Sequence, residues 1–319
     1  MTENNLYIMI GLPGSGKDTL AKQMKEHITS LTSIETVILS SDDIRNELYG
    51  WEDQTHNGEV FQEMNKRCKQ HLEEGKHVIY NATNLNLKRR KTLIDEMKQY
   101  YNHVFAVLCL ATMGTLVERN FTRPERRLPF DKLFQMFKTI DIPMKYEGYD
   151  KIFVGYSSNF DEDYSDFLGW MLRIGKDYDQ HNEHHNATVL EHLELTSKKA
   201  FELSGGDENL GIAGRFHDIG KPYSREWNEE KQKYTYYNHH TISAYLYLIY
   251  WQFKHNNHYY LLNPLDDKAM EISMLIYHHM DKFIGNLEKT KELLGEDLYK
   301  KLEILMEADA YREEQINEG

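Results

Sequence analysis

The sequence predicts an α/β domain, with a mostly parallel sheet and helices on both faces, followed by an all-α domain. Three observations carry this. In the first half, short apolar runs alternate with longer amphipathic stretches, which is the pattern of a parallel sheet with crossover helices. Around Gly155–Asp166 the pattern lapses into a polar, acidic tract. Beyond it, long stretches of helical periodicity follow with little strand signal. The domains are therefore expected at 1–156 and 180–319, joined by a linker over 157–179, and 319 residues suffice for two separate cores.

Taken in order, Leu6–Ile10, Glu35–Leu39, His77–Tyr80, Val104–Leu108 and Lys151–Val154 read as strands. Gly58–Glu74 and Lys88–Tyr100 read as helices between them. Ligands of such sheets bind at the carboxyl ends of the strands, so the residues just after each strand deserve inspection. In the second half, helical periodicity marks Thr188–Ser204, Thr241–Phe253, Asp267–Tyr277 and Leu287–Tyr311.

Composition narrows the function classes. The net charge of −13 argues against a generic coating of nucleic acid. That charge is unevenly placed: residues 1–155 hold 21 Lys+Arg and 21 Asp+Glu, whereas residues 156–319 hold 17 and 30. Eleven of the sixteen histidines fall in the second part. Two cysteines, Cys68 and Cys109, make no disulfide framework, and the polar opening resembles no secretory signal. No apolar run approaches a membrane span, so a cytoplasmic protein with no membrane partner is expected.

The first strand runs into Gly11-Leu12-Pro13-Gly14-Ser15-Gly16-Lys17-Asp18-Thr19. Glycines at this spacing let backbone N–H groups and a helix N-terminus face an anion, while Lys17 reaches the terminal phosphates of a nucleotide. Gly11, Gly14, Ser15, Gly16, Lys17, Asp18 and Thr19 are thus the expected binding residues for ATP, or another NTP, with Mg2+. Asp18 stands where a metal-binding Ser or Thr is usual, and Thr19 supplies a hydroxyl one position later. Asp18 either reaches the metal through water or sits on the positive helix end.

After the second strand, Asp42 and Arg45 are one helical turn apart at the sheet's carboxyl edge. They suit a base for an attacking hydroxyl and a cation for its substrate. The plainer account has Asp42 capping a helix that begins near Ile44. Arg119 and Arg123, four apart, share a face if helical and can neutralise charge developing on phosphates. Together with Arg45, Arg89, Arg90, Arg126 and Arg127 they can build a basic groove despite the acidic average.

The series GLPGSGKDT, SSDDIR, NATNLNLKRR and LVERNFTRPERR, followed by Tyr146-Glu147-Gly148-Tyr149-Asp150, resembles the kinase domain of the phage polynucleotide kinase family over about residues 1–155. The resemblance implies that Asp42 is the general base on a 5′-hydroxyl and Arg45 grips the adjacent phosphate. It also implies that Arg119 and Arg123 are lid arginines and that Lys17 keeps its phosphate role. Asp18 and Ala82 depart from the family pattern.

In the second half, His217-Asp218 adjoins a helical stretch carrying His192, and His239-His240, His278-His279 and Asp309 add further donors. Imidazole with carboxylate suits first-row divalent ions better than Mg2+. The donors suffice for two. The set resembles the HD phosphohydrolase superfamily over about residues 180–310, with His-Asp-Ile-Gly-Lys-Pro at 217–222 as its most specific string. The resemblance implies one metal site of His192, His217, Asp218 and Asp309, and a second of His239 and His279 bridged by Asp218. His240 and His278 compete for the second site. Lys221, just past the Asp, is expected to face the scissile phosphate as a cation; His184, His185 and Arg215 are weaker candidates for phosphate contact, and a structural role is the first expectation for each.

A 5′-hydroxyl kinase joined to a metal phosphohydrolase resembles RNA end-healing enzymes. That implies ATP-dependent phosphorylation of 5′-OH ends and hydrolysis of 2′,3′-cyclic, 2′- or 3′-phosphate ends. RNA ends rank ahead of DNA ends as partners, with a separate RNA ligase downstream. The alternative is a small-molecule nucleoside or nucleotide kinase fused to a nucleotidase or cyclic-nucleotide phosphodiesterase, which the acidic second half favours. A third reading, a nucleotide-gated binding module, is disfavoured because Lys17, Asp42 and the metal ligands are all intact.

Overall fold

A computed structural model describes residues 3–51, 53–123, 127–156, 169, 188–255, 262–285 and 287–311. The chain forms two compact units: Met1–Ser158 together with Lys254–Leu265, and Asn159–Phe253 together with Asp266–Gly319. The linker expected over 157–179 lies outside the described residues except for Gly169.

The first unit is built on strands β1 (Asn5–Ile10), β2 (Thr36–Ser40), β3 (His77–Asn81), β4 (His103–Leu110) and β5 (Lys151–Tyr156). All five are parallel in the order β2-β3-β1-β4-β5. Helices α1 (Lys17–Thr32), α2 (Ser41–Tyr49), α3 (Asn57–Glu73), α4 (Leu87–Met97), α5 (Met113–Phe121) and α6 (Phe130–Lys138) lie between them in sequence. β1 is central and reads as a continuous apolar run because both its faces are covered; Leu6, Ile8, Met9 and Ile10 are fully buried. On one side Met9, Ile79, Val107 and Cys109 of the sheet pack with Leu20, Ala21 and Met24 of α1.

Register fixes the site. Met9 pairs with Asn81 and Asn81 with Ser40, which brings the ends of β1, β2 and β3 level at the carboxyl edge. The segment after β3 then ties down the turn after β1: Gly11 N–H donates to the Thr83 carbonyl (3.0 Å), and the Asn84 amide to the Met9 carbonyl (2.7 Å).

Arg90 departs from the basic groove expected of it. Its side chain is buried in a fork on Glu147, with two 2.8 Å bonds, and it also donates to the carbonyls of Asn84, Asp141 and Ile142. Paired charge plus carbonyl acceptors is what allows an arginine to be buried. It holds the loops after β3 and before β5 together.

The second unit is helical: α7 (Val189–Leu203), α8 (Glu208–Phe216), α9 (Lys221–Ser224), α10 (His239–His255), α11 (Asp267–His278), α12 (Asp281–Ile284), α13 (Leu287–Leu294) and α14 (Glu296–Asp309). Three N-caps set helix starts: Thr188 in a capping box with Glu191, Asp207 and Asp266. Two features were not in the sequence pattern. A short hairpin, β6 (Glu226–Asn228) with β7 (Lys233–Thr235), precedes α10. The stretch 287–311 breaks into two helices at Gly295, whose φ is 76°.

The two-residue strand β8 (Asn263–Pro264) pairs antiparallel with β5 and completes the six-stranded sheet of the first unit. No helix among the described residues is long and apolar enough to cross a membrane.

Candidate active sites

The glycine-rich turn delivers the first site. Gly14 and Gly16 hold φ of 88° and 89°, the left-handed region that glycine enters without Cβ strain, and α1 starts at Lys17. Lys17 is buried, and its Nζ donates to the carbonyls of Gly11 and Leu12, each 2.9 Å away. Burial pulls its ammonium below the usual lysine range; the charges of Asp18 and Asp42 oppose that and Arg123 adds to it. Asp18 and Thr19 are exposed in the first turn of α1. The Asn81 amide donates to Asp18 Oδ1 at 2.8 Å, so the end of β3 orients the carboxylate that replaces the usual hydroxyl.

Asp42 lies in the first turn of α2, but Ser40 is the cap: its hydroxyl accepts the Asp43 N–H at 3.2 Å. The capping account of Asp42 therefore fails. Its carboxylate instead accepts from Arg45 Nη1 at 2.9 Å and is half exposed, while Arg45 is buried. Arg45 Nη2 donates to Asn57 Oδ1 at 2.8 Å, and Nε is buried without a partner. A buried donor left unmade is costly, so this N–H has capacity for one further acceptor.

Arg119 Nη1 donates to the Gly14 carbonyl at 3.0 Å, placing this guanidinium on the phosphate turn. Arg123 does not share a helical face with it, because α5 ends at Phe121, with the Thr122 N–H closing on Glu118 O, and Arg123 lies exposed beyond. Arg89 is exposed on α4, Arg127 stacks 4.2 Å over the Phe121 ring, and Arg126 lies outside the described residues.

In the second unit five separated segments converge. His192 comes from α7, His217 and Asp218 from the turn after α8, His239 from the start of α10, His279 from just past α11 and Asp309 from the end of α14. His192 Nε2 lies 3.2 Å from His217 Nε2 and 3.3 Å from both Asp218 Oδ2 and Asp309 Oδ1. His217 Nε2 is 3.1 Å from Asp309 Oδ1. On the other side of the same carboxylate, Asp218 Oδ1 is 2.9 Å from His239 Nε2 and 3.6 Å from His279 Nε2. The donors form two groups sharing Asp218: His192, His217, Asp218 and Asp309, and Asp218, His239 and His279.

The outer hydrogen bonds explain the aim of the rings. Nδ1 of His217 contacts the Gly214 carbonyl at 2.7 Å, Nδ1 of His239 that of Tyr236 at 2.6 Å, and Nδ1 of His279 that of Ile276 at 2.7 Å. A carbonyl only accepts, so each Nδ1 carries a proton and each Nε2 points inward, where it can offer its lone pair to a cation. Gly220 contributes too: a Cβ there would lie 2.4 Å from the His239 carbonyl, and its N–H donates to Ser243 Oγ at 2.9 Å. Glycine lets the turn after Asp218 press against the start of α10, which brings His239 to Asp218.

This donor set fits divalent cations. The same carboxylates act on the ring charge: burial opposes a charged His217, but Asp218 and Asp309 outweigh it and raise that imidazole to about 10. Burial likewise opposes the charge of Asp218, and Lys221 and the histidines hold it far below the usual carboxylate range. Lys221 Nζ sits 2.5 Å from Asp218 Oδ2.

His240 and His278 belong to neither group. His278 Nδ1 bonds to Asp281 Oδ2 at 2.7 Å, an oxygen that also accepts from Thr290 Oγ1. Burial drives His240 down to about 3, so it packs as a neutral ring beside Tyr277. Arg215 is exposed on α8, and His184 and His185 lie outside the described residues. Sequence reasoning missed Asn81, Asn57 and Ser243, polar residues that act only through a tertiary partner.

Comparison with known proteins gives two family matches: residues 6–141 match the AAA domain family and residues 174–313 the HD domain family. The L-seryl-tRNA(Sec) kinase of Methanococcus maripaludis is 25% identical over 171 residues, 54% of this chain and 66% of that protein. A chain of the Pnkp1/Rnl/Hen1 RNA repair complex is 22% identical, over 44% of this chain and 43% of that one, with a TM-score of 0.37. Kti12 of Chaetomium thermophilum in complex with ADP-AlF3 is 16% identical over 53% of this chain and 97% of its own, with a TM-score of 0.41. This chain thus spans less than two thirds of the tRNA-directed kinase and less than half of the RNA repair chain. The two matches fall where the geometry is: the AAA domain match takes in the glycine-rich turn with Lys17, and the HD domain match takes in the His and Asp cluster around Asp218.

Proposed function

We propose that the chain is a bifunctional end-healing enzyme for nucleic acid, with RNA ends preferred to DNA ends. In this reading it phosphorylates 5′-OH ends with ATP or another NTP and hydrolyses 2′,3′-cyclic, 2′- or 3′-phosphate ends, in the cytoplasm and ahead of a separate RNA ligase. One observation carries the reading: an Asp42–Arg45 pair at the carboxyl edge beside a phosphate turn, in the same chain as a convergence from five segments of His and Asp donors that share Asp218. The kinase similar to it acts, by its name, on a seryl group carried by a tRNA, so an acceptor attached to RNA is within reach of a related domain, although that hydroxyl belongs to the amino acid.

In the kinase step Lys17, Arg119 and the N–H groups of residues 11–19 hold the donor phosphates. Arg45 places the acceptor, and Asp42 takes its hydroxyl proton as the new O–P bond forms and the bond to the departing diphosphate breaks. Asp18 and Thr19 are the residues that would hold Mg2+, which neutralises phosphate charge. In the HD domain His192, His217, Asp218 and Asp309, and His239 and His279 with Asp218, would hold one or two divalent transition ions, whose chemistry is the activation of water. Lys221 supplies positive charge for the phosphate ester.

The test is an RNA with a 5′-OH and a 2′,3′-cyclic end, incubated with labelled ATP. Wild type is expected to modify both ends, Asp42→Ala only the cyclic end, and Asp218→Ala only the 5′ end. Retention of both reactions in both variants refutes the assignment. The acidic second half favours the small-molecule reading, which a nucleoside or mononucleotide that outcompetes the oligonucleotide would establish.

A further inference from the structure

Beyond Arg45 on α2 the structure holds an aromatic pair that the kinase machinery does not use. Tyr49 follows Asp42 and Arg45 at helical spacing, so the three share one face of α2. Its ring stacks on His56, with centroids 4.3 Å apart and planes at 13°. Both rings reach solvent: Tyr49 is 38% exposed and the His56 side chain 42%.

Each ring is also pinned by its polar end. The Tyr49 hydroxyl bonds to Glu59, and His56 Nδ1 and N–H both bond to the Asp53 carboxylate, at 2.9 and 3.1 Å. The pair is continuous with the acceptor side of the kinase site, because Arg45 Nη2 bonds to Asn57, the residue after His56. A polar network that fixes two half-exposed rings beside a buried arginine with an unmade Nε donor is a prearranged surface for something flat and polar.

The geometry points to the Tyr49–His56 stack as the platform for the nucleobase of the nucleoside that presents its hydroxyl to Asp42. This deepens the proposed kinase reading and rests on it. It fixes the acceptor class: a base-bearing end, held by stacking that tolerates any base, in place of a free sugar or an amino acid. The phosphate on the far side of that nucleoside is the acceptor for Arg45 Nε.

The experiment measures binding of a fluorescent 5′-OH oligoribonucleotide, with ADP present, against the same oligomer lacking its 5′-terminal base. Loss of that base is expected to weaken binding to wild type about tenfold, the scale of one stacked base. Tyr49→Ala is expected to bind the intact oligomer about tenfold more weakly and to ignore the missing base, whereas Tyr49→Phe keeps the sensitivity. His56→Ala reports the second ring, and thermal melting of each variant shows that the fold is kept. Equal sensitivity to the missing base in wild type and Tyr49→Ala overturns the platform. Phosphoryl transfer is scored separately: failure of wild type to label any 5′-OH end overturns the kinase reading itself.

Discussion

The Nε2 atoms of His239 and His279 face each other across 3.2 Å, while the Nδ1 of each ring is committed to a backbone carbonyl. Two inward lone pairs at that separation repel unless a proton or a cation lies between them. With Asp218 Oδ1 beside both, a cation satisfies all three at once. Purified protein loaded with Mn2+, Co2+ or Ni2+ is therefore expected to retain at least one ion per chain by elemental analysis. Its melting temperature should rise with added ion and fall with chelator. His279→Ala should lower the count for the second group only. A folded protein that keeps no ion after loading contradicts the cluster's role.

Asp42→Asn is expected to reduce 5′-OH phosphorylation by about 10²- to 10⁴-fold, the usual worth of a positioned base. Because the variant keeps an oxygen for Arg45, nucleotide binding should stay intact. Single-turnover kinetics at saturating ATP separate the two effects.

Arg90 and Glu147 form a buried ion pair. Arg90→Met leaves the Glu147 carboxylate uncompensated and should destabilise the first unit by about 3–5 kcal/mol, whereas removing both charges should cost much less. Chemical denaturation of Arg90→Met, Glu147→Gln and the double variant measures the coupling. Additive losses would show that the pair is not what holds the two loops.

Asp207 caps α8 and lies 2.7 Å from Lys301, which also bonds to Glu271 at 2.6 Å. Partial burial opposes its charge, but Lys301 and the N–H groups of Asn209 and Leu210 win, and its pKa lies below the ordinary carboxylate value. A depressed folded pKa gives stability that is complete above the unfolded value and lost as pH falls through the folded one. Asn caps as well as Asp. Asp207→Asn should therefore cost a few tenths to about 1 kcal/mol near neutral pH, and that difference should shrink below about pH 4. Urea titrations across this range check the sign.

Both cysteines are buried, and burial pushes each thiol up to about 12. Native protein at about pH 8 should show almost no reaction with a thiol reagent, and two equivalents after unfolding. Prompt modification of the folded protein would contradict the packing around β4 and α3.

The strands and the chemical motifs were legible because each is a local pattern. Apolar runs mark β1 to β4, and Gly14, Gly16 and Lys17 announce their own backbone geometry. His192, His217, Asp218, His239, His279 and Asp309 were separable from other His and Asp residues only through the resemblance, and the structure brings all six together. What stayed hidden depends on distant partners. Arg90 looks like any surface arginine until Glu147, 57 residues on, is seen beneath it. Arg123 shares spacing with Arg119, but the helix stops between them. The choice of His279 over His278 turns on carbonyl and carboxylate partners that spacing does not encode.

Strand β8 gives the two units an interleaved connectivity, since residues 254–265 return to the first unit after most of the second has been traversed. The polypeptide passes from one unit to the other three times, so no single cut separates them as whole pieces. A fragment ending near residue 158 lacks the sixth strand, leaving the β5 backbone bare along that margin and open to pairing with another chain. Dissection of this protein into working halves therefore calls for a circularly rearranged or grafted edge rather than simple truncation.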